Sequence, residues 1–290
     1  MGAYKIKDLE NLTGIKAHTI RIWEKRYGIL KPERTDTQIR KYDDEELTLL
    51  LNISLLNKHG YKISRIADMS HDDIRHKISN NIQNSEDSFH ESLLLALIEL
   101  NERLFNETFQ GIIDEIGLEL TFKNHLIPFL EKIGVMWLLG TINPAQEHFV
   151  SNLIRQKLIS EIDKLPLIDG GKSALLFLPE HENHEISLLF YAYVLRKNKI
   201  NTCYLGQLLP YDSLLRSIEK VKPNILVTSW VAATYVDFLN SYFKNLVRDI
   251  APEIEIYSGG NQMIHLKENY NERINLIHSS DDLRKIIEQA

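Results

Sequence analysis

Between Ala174 and Ile277, short apolar runs alternate with longer amphipathic stretches. No other feature of the chain restricts its fold as strongly. The runs Ala174 to Leu178, Asn201 to Leu205, Ile225 to Ser229, Glu255 to Ser258 and Ile274 to Ile277 are predicted strands. The stretches Ile186 to Asn198, Ser213 to Val221, Tyr235 to Ile250 and Asp281 to Ala290 are predicted helices. This alternation implies a parallel sheet covered by helices on both faces. Ligands of such sheets bind outside the carboxyl ends of the strands. Those ends carry Glu182, His184 and Ser187, then Gly206, then Ser229, then Gly259-Gly260. No G-x-G-x-x-G follows the first strand, which argues against a dinucleotide site.

Upstream, apolar residues recur every three or four positions in four segments. Leu93 to Leu100 is the first, Leu104 to Ile116 the second, Leu120 to Leu139 the third and Pro144 to Ile162 the fourth. Amphipathic helices at this density imply a four-helix bundle. Trp137 falls near the end of the third helix, and nine residues later Glu147-His148 open the fourth. A short connection brings an aromatic plane, a carboxylate and an imidazole to one rim, where they suit a flat cofactor. Taken alone, Trp137 reads rather as core and Glu147-His148 as a charged first turn.

The first 75 residues have a different character. Ile6, Leu9 and Leu12 fall on one face of a short helix, Thr13-Gly14 makes a turn, and Ala17 to Tyr27 forms a second helix that stops at Gly28. This is the helix-turn-helix pattern, and His18, Thr19, Arg21 and Trp23 lie on its second helix. Ile29 to Tyr42 suits a β-ribbon wing, from which Arg34, Arg40, Lys41 and Tyr42 reach DNA. Asp43 and Asp44 start a helix through Asn57, and Ile63 to Met69 forms one more. Residues 71–88 are polar and form a linker.

Charge follows the same division. Residues 1–42 hold ten Lys/Arg against five Asp/Glu, a net of +5; the whole chain is −6, so the remainder is −11. Only the head is suited to a polyanion. The single cysteine, Cys203, excludes a disulfide framework, and no Cys/His cluster has zinc spacing. No apolar run reaches the roughly 18–20 residues that span a membrane, and the opening MGAYKIKDLE has no signal-peptide core. A cytoplasmic setting without membrane contact is expected.

The string HTIRIWEKRYGILKPERTDTQIRKYDDEEL closely resembles the winged helix-turn-helix of MerR-type regulators. Gln38 replaces the usual wing glycine. Glu182-Asn183-His184-Glu185-Ile186-Ser187 resembles the D/E-x-H-x-x-G loop of cobalamin-binding domains, with Ser187 in place of the glycine. That resemblance implies that His184 is the lower axial ligand of cobalt, with Glu182 orienting it. It extends to Ser229-Trp230-Val231 as the Ser-x-Leu position and to Gly259-Gly260. Ser229 is then placed to hydrogen-bond the displaced dimethylbenzimidazole, and the glycines admit the nucleotide tail. The bulk of Trp230 and Ser187 is expected to narrow that pocket.

The spacing of Trp137, Glu147 and His148 resembles the W-x9-E-H signature of CarH/LitR-type photoreceptor regulators, which implies adenosylcobalamin capped by the bundle. The residue after the tryptophan, a histidine in those proteins, is Leu138, which has no metal-binding atom and leaves light response open.

The expected fold is therefore mixed α and α/β. It comprises a winged helix-turn-helix (1–75), a linker (76–87), a four-helix bundle (88–165) and a Rossmann-like, cobalamin-binding type sheet (172–290). The expected function is a transcriptional regulator, not an enzyme. It binds a double-stranded DNA operator as a dimer or tetramer, under control of cobalamin. Two alternatives stand beside it. One is a regulator on the same scaffold that has lost the cofactor, motivated by Ser187, Val231 and Leu138. The other is a corrinoid-dependent enzyme subunit.

Overall fold

Leu9 and Leu12, three residues apart, are both buried and anchor α1 (Ile6–Thr13) in the head. The computed structural model describes residues 4–34, 39–58, 60–70, 73–74, 77, 89–138, 142–168, 170–266, 273–279 and 281–283. Gly14 (φ 72°) and Gly28 (φ 62°) end α1 and α2 (Ala17–Tyr27) in the left-handed conformation, which glycine adopts without strain. The wing is an antiparallel pair, β1 (Glu33–Arg34) and β2 (Arg40–Lys41). Gln38 lies outside the described residues. Tyr4 and Tyr42 exchange backbone hydrogen bonds of 2.8 and 3.0 Å, which ties the wing's base to the N-terminal segment. Asp43 and Glu46 form a reciprocal cap on α3 (Asp44–Lys58), at 2.9 and 3.1 Å. The next helix, α4 (Ile63–Ile66), stops short of the expected Met69. Ser70 and Asp73 bond each other's backbone and side chains there, and this local capping replaces a further helical turn. Apart from Lys77, the expected linker at 76–87 lies outside the described residues.

The four expected bundle segments are helical. They are α5 (Phe89–Glu99), α6 (Glu102–Ile116), a long third helix and α9 (Pro144–Asp163). The third helix has three parts: α7 (Leu118–Thr121), a π-helical segment (Phe122–Leu126) and α8 (Ile127–Leu138). Leu93, Leu97, Phe105, Phe109, Phe122, Leu126, Phe129 and Val150 are buried. Asn143 and Gln146 cap α9 reciprocally at 3.0 and 3.1 Å, with Pro144 at the first position, where its missing N–H is not needed.

Seven strands are numbered in chain order among the described residues, and the last five make the predicted sheet: β3 (Ser173–Pro179), β4 (Asn201–Leu209), β5 (Ile225–Ser229), β6 (Glu255–Gly259) and β7 (Ile274–Ile277). All are parallel, in the order β4-β3-β5-β6-β7. The chain therefore leaves β3 toward one edge and later resumes at β5 on its other side. That reversal opens a crevice at the carboxyl ends of β3 and β5. The helix α10 (Ile186–Lys197) packs on β3, β4 and β5. The helices α11 (Tyr211–Val221) and α12 (Val236–Asp249) bury Leu214, Ile218, Leu239 and Phe243 in one cluster with Leu175, Leu226 and Trp230.

In the C-terminal unit two boundaries shift by two residues or more and one element is added. β4 runs four residues past Leu205, because a bulge near Gly206 (φ 81°) lets it pair again with Phe177 and Pro179. The helix α11 starts at Tyr211, behind Pro210. A short 3-10 helix (Asn261–His265) follows the glycine pair, where no element was expected. Of the predicted helix from Asp281, residues 281–283 are described and are helical. The chain forms two compact units, residues 1–153 and 154–290. No described helix is long and apolar enough to cross a membrane.

Candidate functional site

The loop that follows β3 is built around a buried carboxylate. Glu182 is only 2 % exposed, yet both its oxygens are fully engaged. Oε1 accepts the His184 backbone N–H at 2.9 Å and sits 2.7 Å from His184 Nδ1. Oε2 accepts the N–H groups of Val231 at 2.6 Å and Ala232 at 2.7 Å. Burial pushes the Glu182 carboxyl up, but the His184 ring and the three backbone donors outweigh it, so its pKa lies below the ordinary value. An ionised Glu182 beside Nδ1 orients the His184 ring, as carboxylates do for metal-bound imidazoles. Glu182 thereby joins the loop after β3 to the loop after β5, across the crevice.

The extension of β4 supports the same loop. Leu208 N–H donates to the Glu182 carbonyl at 3.2 Å, and Gln207 Nε2 donates to the Asn183 carbonyl at 2.8 Å. On the other side of His184, the buried Glu185 accepts from Tyr204 O–H at 2.7 Å and pairs with Arg155. Sequence reasoning did not single out Glu185, Tyr204 or Arg155. A glutamate at the start of an apolar helix was the available signal.

Ser229 and Gly259 are register partners at the ends of β5 and β6. The Ser229 side chain is fully buried and its Oγ has no hydrogen-bond partner. A buried hydroxyl in this state retains capacity for a polar ligand. The expectation that Trp230 narrows this pocket is corrected. Side chains alternate across a strand, and Trp230 packs with Tyr242 (5.1 Å) and Phe243 (5.7 Å) in the cluster under α11 and α12. The bulk beside Ser229 comes from Tyr191 on α10 instead. A Cβ at Gly259 would lie 2.2 Å from the Tyr191 hydroxyl oxygen, and one at Gly260 (φ 96°) would lie 2.2 Å from the Trp230 carbonyl oxygen. Both glycines are required by close packing of the chain on itself. Ser187, one turn before Tyr191, is half-buried.

In the N-terminal unit, Trp137 is 46 % exposed near the end of α8, which is unusual for the largest apolar side chain. Glu147 and His148 lie in the first turn of α9, with Glu147 Oε2 2.7 Å from His148 Nδ1. The donor set of the C-terminal unit, an oriented imidazole at His184 and a buried hydroxyl at Ser229, fits a corrinoid. Among the described residues, no group of three or more His, Cys, Asp or Glu is arranged to hold a free metal ion.

The head presents His18, Arg21, Arg34 and Lys41 at its surface, with Thr19 half-buried. Two residues assigned to DNA contact are corrected. Trp23 is 8 % exposed and Tyr42 1 %, so both hold the head together instead of offering surface. Arg40 makes two bonds to Glu24 of α2, at 3.0 and 3.1 Å, and so fixes the wing to the recognition helix.

Residues 4–72 match the MerR HTH family regulatory protein model, and residues 90–159 match the B12 binding domain model. The chain is 27% identical over 265 residues to the HTH-type transcriptional repressor CarH of Myxococcus xanthus, covering 89% of this chain and 88% of that protein. It is 27% identical over 291 residues to the repressor CarA of the same organism, covering 99% and 96%. The monomethylamine corrinoid protein of Methanosarcina barkeri has a similar fold, with a TM-score of 0.54 and 14% identity, covering 71% of this chain and 100% of that one.

Proposed function

From the premise that this chain joins a MerR helix-turn-helix to a B12 binding domain and is homologous to the CarH and CarA repressors, we propose a cytoplasmic transcriptional regulator whose DNA binding is controlled by cobalamin. The proposed form is adenosylcobalamin. The observation that carries this reading is the buried Glu182 clasp, which stands 2.7 Å from His184 Nδ1 and is placed to orient that ring for a metal. Bound cobalamin supplies a cobalt centre that takes an imidazole as axial ligand.

The chain's own residues do the rest. His184 is the proposed ligand, and Glu182 orients it. Ser229 is the proposed partner of the detached base. Trp137, Glu147 and His148 are the proposed cap over the upper group. Gly206, Gly259 and Gly260 shape the backbone at the strand ends. On the head, His18, Thr19 and Arg21 are the proposed base-reading residues, with Arg34 and Lys41 on phosphates. A single head makes few base contacts. Self-association as a dimer or tetramer places heads on half-sites about 34 Å apart and raises affinity through effective concentration. The cofactor is proposed to govern that association. The proposed role is non-enzymatic, and the proposed domains are 1–75, 88–165 and 172–290, with a linker at 76–87.

The test is an absorption spectrum of the purified protein after mixing with adenosylcobalamin in the dark and removing free cofactor. Retained corrin with a histidine-ligated spectrum, lost in His184→Ala, is expected. Absence of retained corrin in the wild type would overturn the reading. Intact DNA binding in that case would favour a same-scaffold regulator without cofactor, which the packing of Tyr191 against Gly259 supports.

A further inference from the structure

Tyr191, on α10, reaches the carboxyl ends of both β5 and β6. Its phenol is 8 % exposed, and its hydroxyl oxygen occupies the space a Cβ would need at Gly259. The carbonyl of Ile277, on β7, closes the same space at 3.3 Å. Ser229, the register partner of Gly259, lies beside the phenol. Burial pushes the Tyr191 hydroxyl up, and the Ser229 hydroxyl opposes that shift without completing a good hydrogen bond, since Ser229 Oγ remains unpartnered. The ring is therefore packed by shape and poorly tied by polar contacts. Such a side chain leaves its place more readily than one with a full set of bonds.

We propose that Tyr191 determines which corrinoids this chain holds: its ring stands in the pocket at Ser229 and Gly259, and it penalises entry of a detached nucleotide base while leaving the corrin face at His184 untouched. The proposal rests on the cobalamin reading above and concerns ligand specificity at the same site. Two consequences are separable. A corrinoid that lacks the nucleotide, such as cobinamide, engages His184 without meeting Tyr191. Cobalamin, whose base must be lodged somewhere once it leaves cobalt, requires the ring to move.

The experiment compares Kd for cobinamide and for cobalamin, by absorption titration, in the full-length wild type, Tyr191→Ala and Tyr191→Phe. The quantity of interest is the ratio of cobalamin Kd to cobinamide Kd. Tyr191→Ala is expected to lower that ratio by about tenfold, the size of one lost steric conflict of this scale. Tyr191→Phe, which keeps the ring, is expected to leave the ratio within about twofold of wild type. Unchanged cobinamide affinity in Tyr191→Ala reports that the variant is folded at His184. A ratio unchanged or raised in Tyr191→Ala, with both corrinoids still bound, overturns the proposal alone. No binding of either corrinoid by any of the three proteins overturns the cobalamin reading and the specificity claim with it.

Discussion

Glu182 governs more of the C-terminal site than the histidine it orients. It accepts from four groups in two loops, and three of those donors are backbone amides. Glu182→Gln keeps the shape but places an amide NH2 toward part of that donor set. Leaving buried donors unsatisfied costs roughly 1–3 kcal/mol, so the variant is expected to lose about that much unfolding free energy, read as a lower denaturant midpoint. Loss of an orienting carboxylate also weakens metal-bound imidazoles by about 10–100-fold. Corrin affinity should fall accordingly in the same variant, measured by titration. A stable variant with unchanged corrin affinity would remove Glu182 from the site. The residue scale is also where sequence reasoning missed most. His184 and Glu182 were legible because their motif is local. Tyr191 was not, because it looks like any apolar residue in LLFYAYVL until the register of β6 brings Gly259 beneath it. Trp230 was misread for the converse reason: its neighbour Ser229 faces the pocket, and strand alternation turns the tryptophan away.

At the scale of elements, periodicity was a good guide. Each of the four bundle segments and five sheet strands was legible from apolar spacing. The ends of β4 and α4 were not, since a bulge and a Ser70–Asp73 cap settle them. One element carries a pH dependence that spacing does not show. His90, in the first turn of α5, is half-buried beside His125, with Nε2 3.0 Å from the His125 carbonyl oxygen. Burial is the main cause that holds its pKa below the ordinary histidine value; His125 and Lys132 add to the effect, while the His125 carbonyl and Glu91 oppose it. The folded state therefore binds fewer protons than the unfolded chain. The stability His90 contributes is present above the unfolded value of about 6.5 and is lost as pH falls through the lower folded value. Denaturant midpoints measured between pH 7.5 and 5 should fall for the wild type, and fall less for His90→Gln. Equal slopes for the two proteins would assign the effect elsewhere.

At the scale of the whole molecule, charge separates the chain into a head of +5 and a remainder of −11. Affinity for DNA should fall linearly with salt on logarithmic axes, with a slope of about 0.9 for each phosphate contacted. Lys41→Ala removes one proposed contact per head. Its slope should be shallower by about 0.9 if one head engages and by about 1.8 if two do. The same titration therefore counts heads as well as contacts, and a slope identical to wild type would free Lys41 from the interface.

The π-helical turn at Phe122–Leu126 has a consequence for the phase of the third bundle helix. An α-helix advances about 100° per residue. A π turn holds roughly one residue more than an α turn, so everything after it is rotated by about that angle relative to a regular helix. Trp137 lies eleven residues beyond Leu126 and inherits this offset. A vernier of one residue, placed about three turns upstream, thus sets the azimuth at which the exposed tryptophan leaves the bundle. The same 21 residues wound as uninterrupted α-helix would point it elsewhere on the compass without changing a single side chain near it.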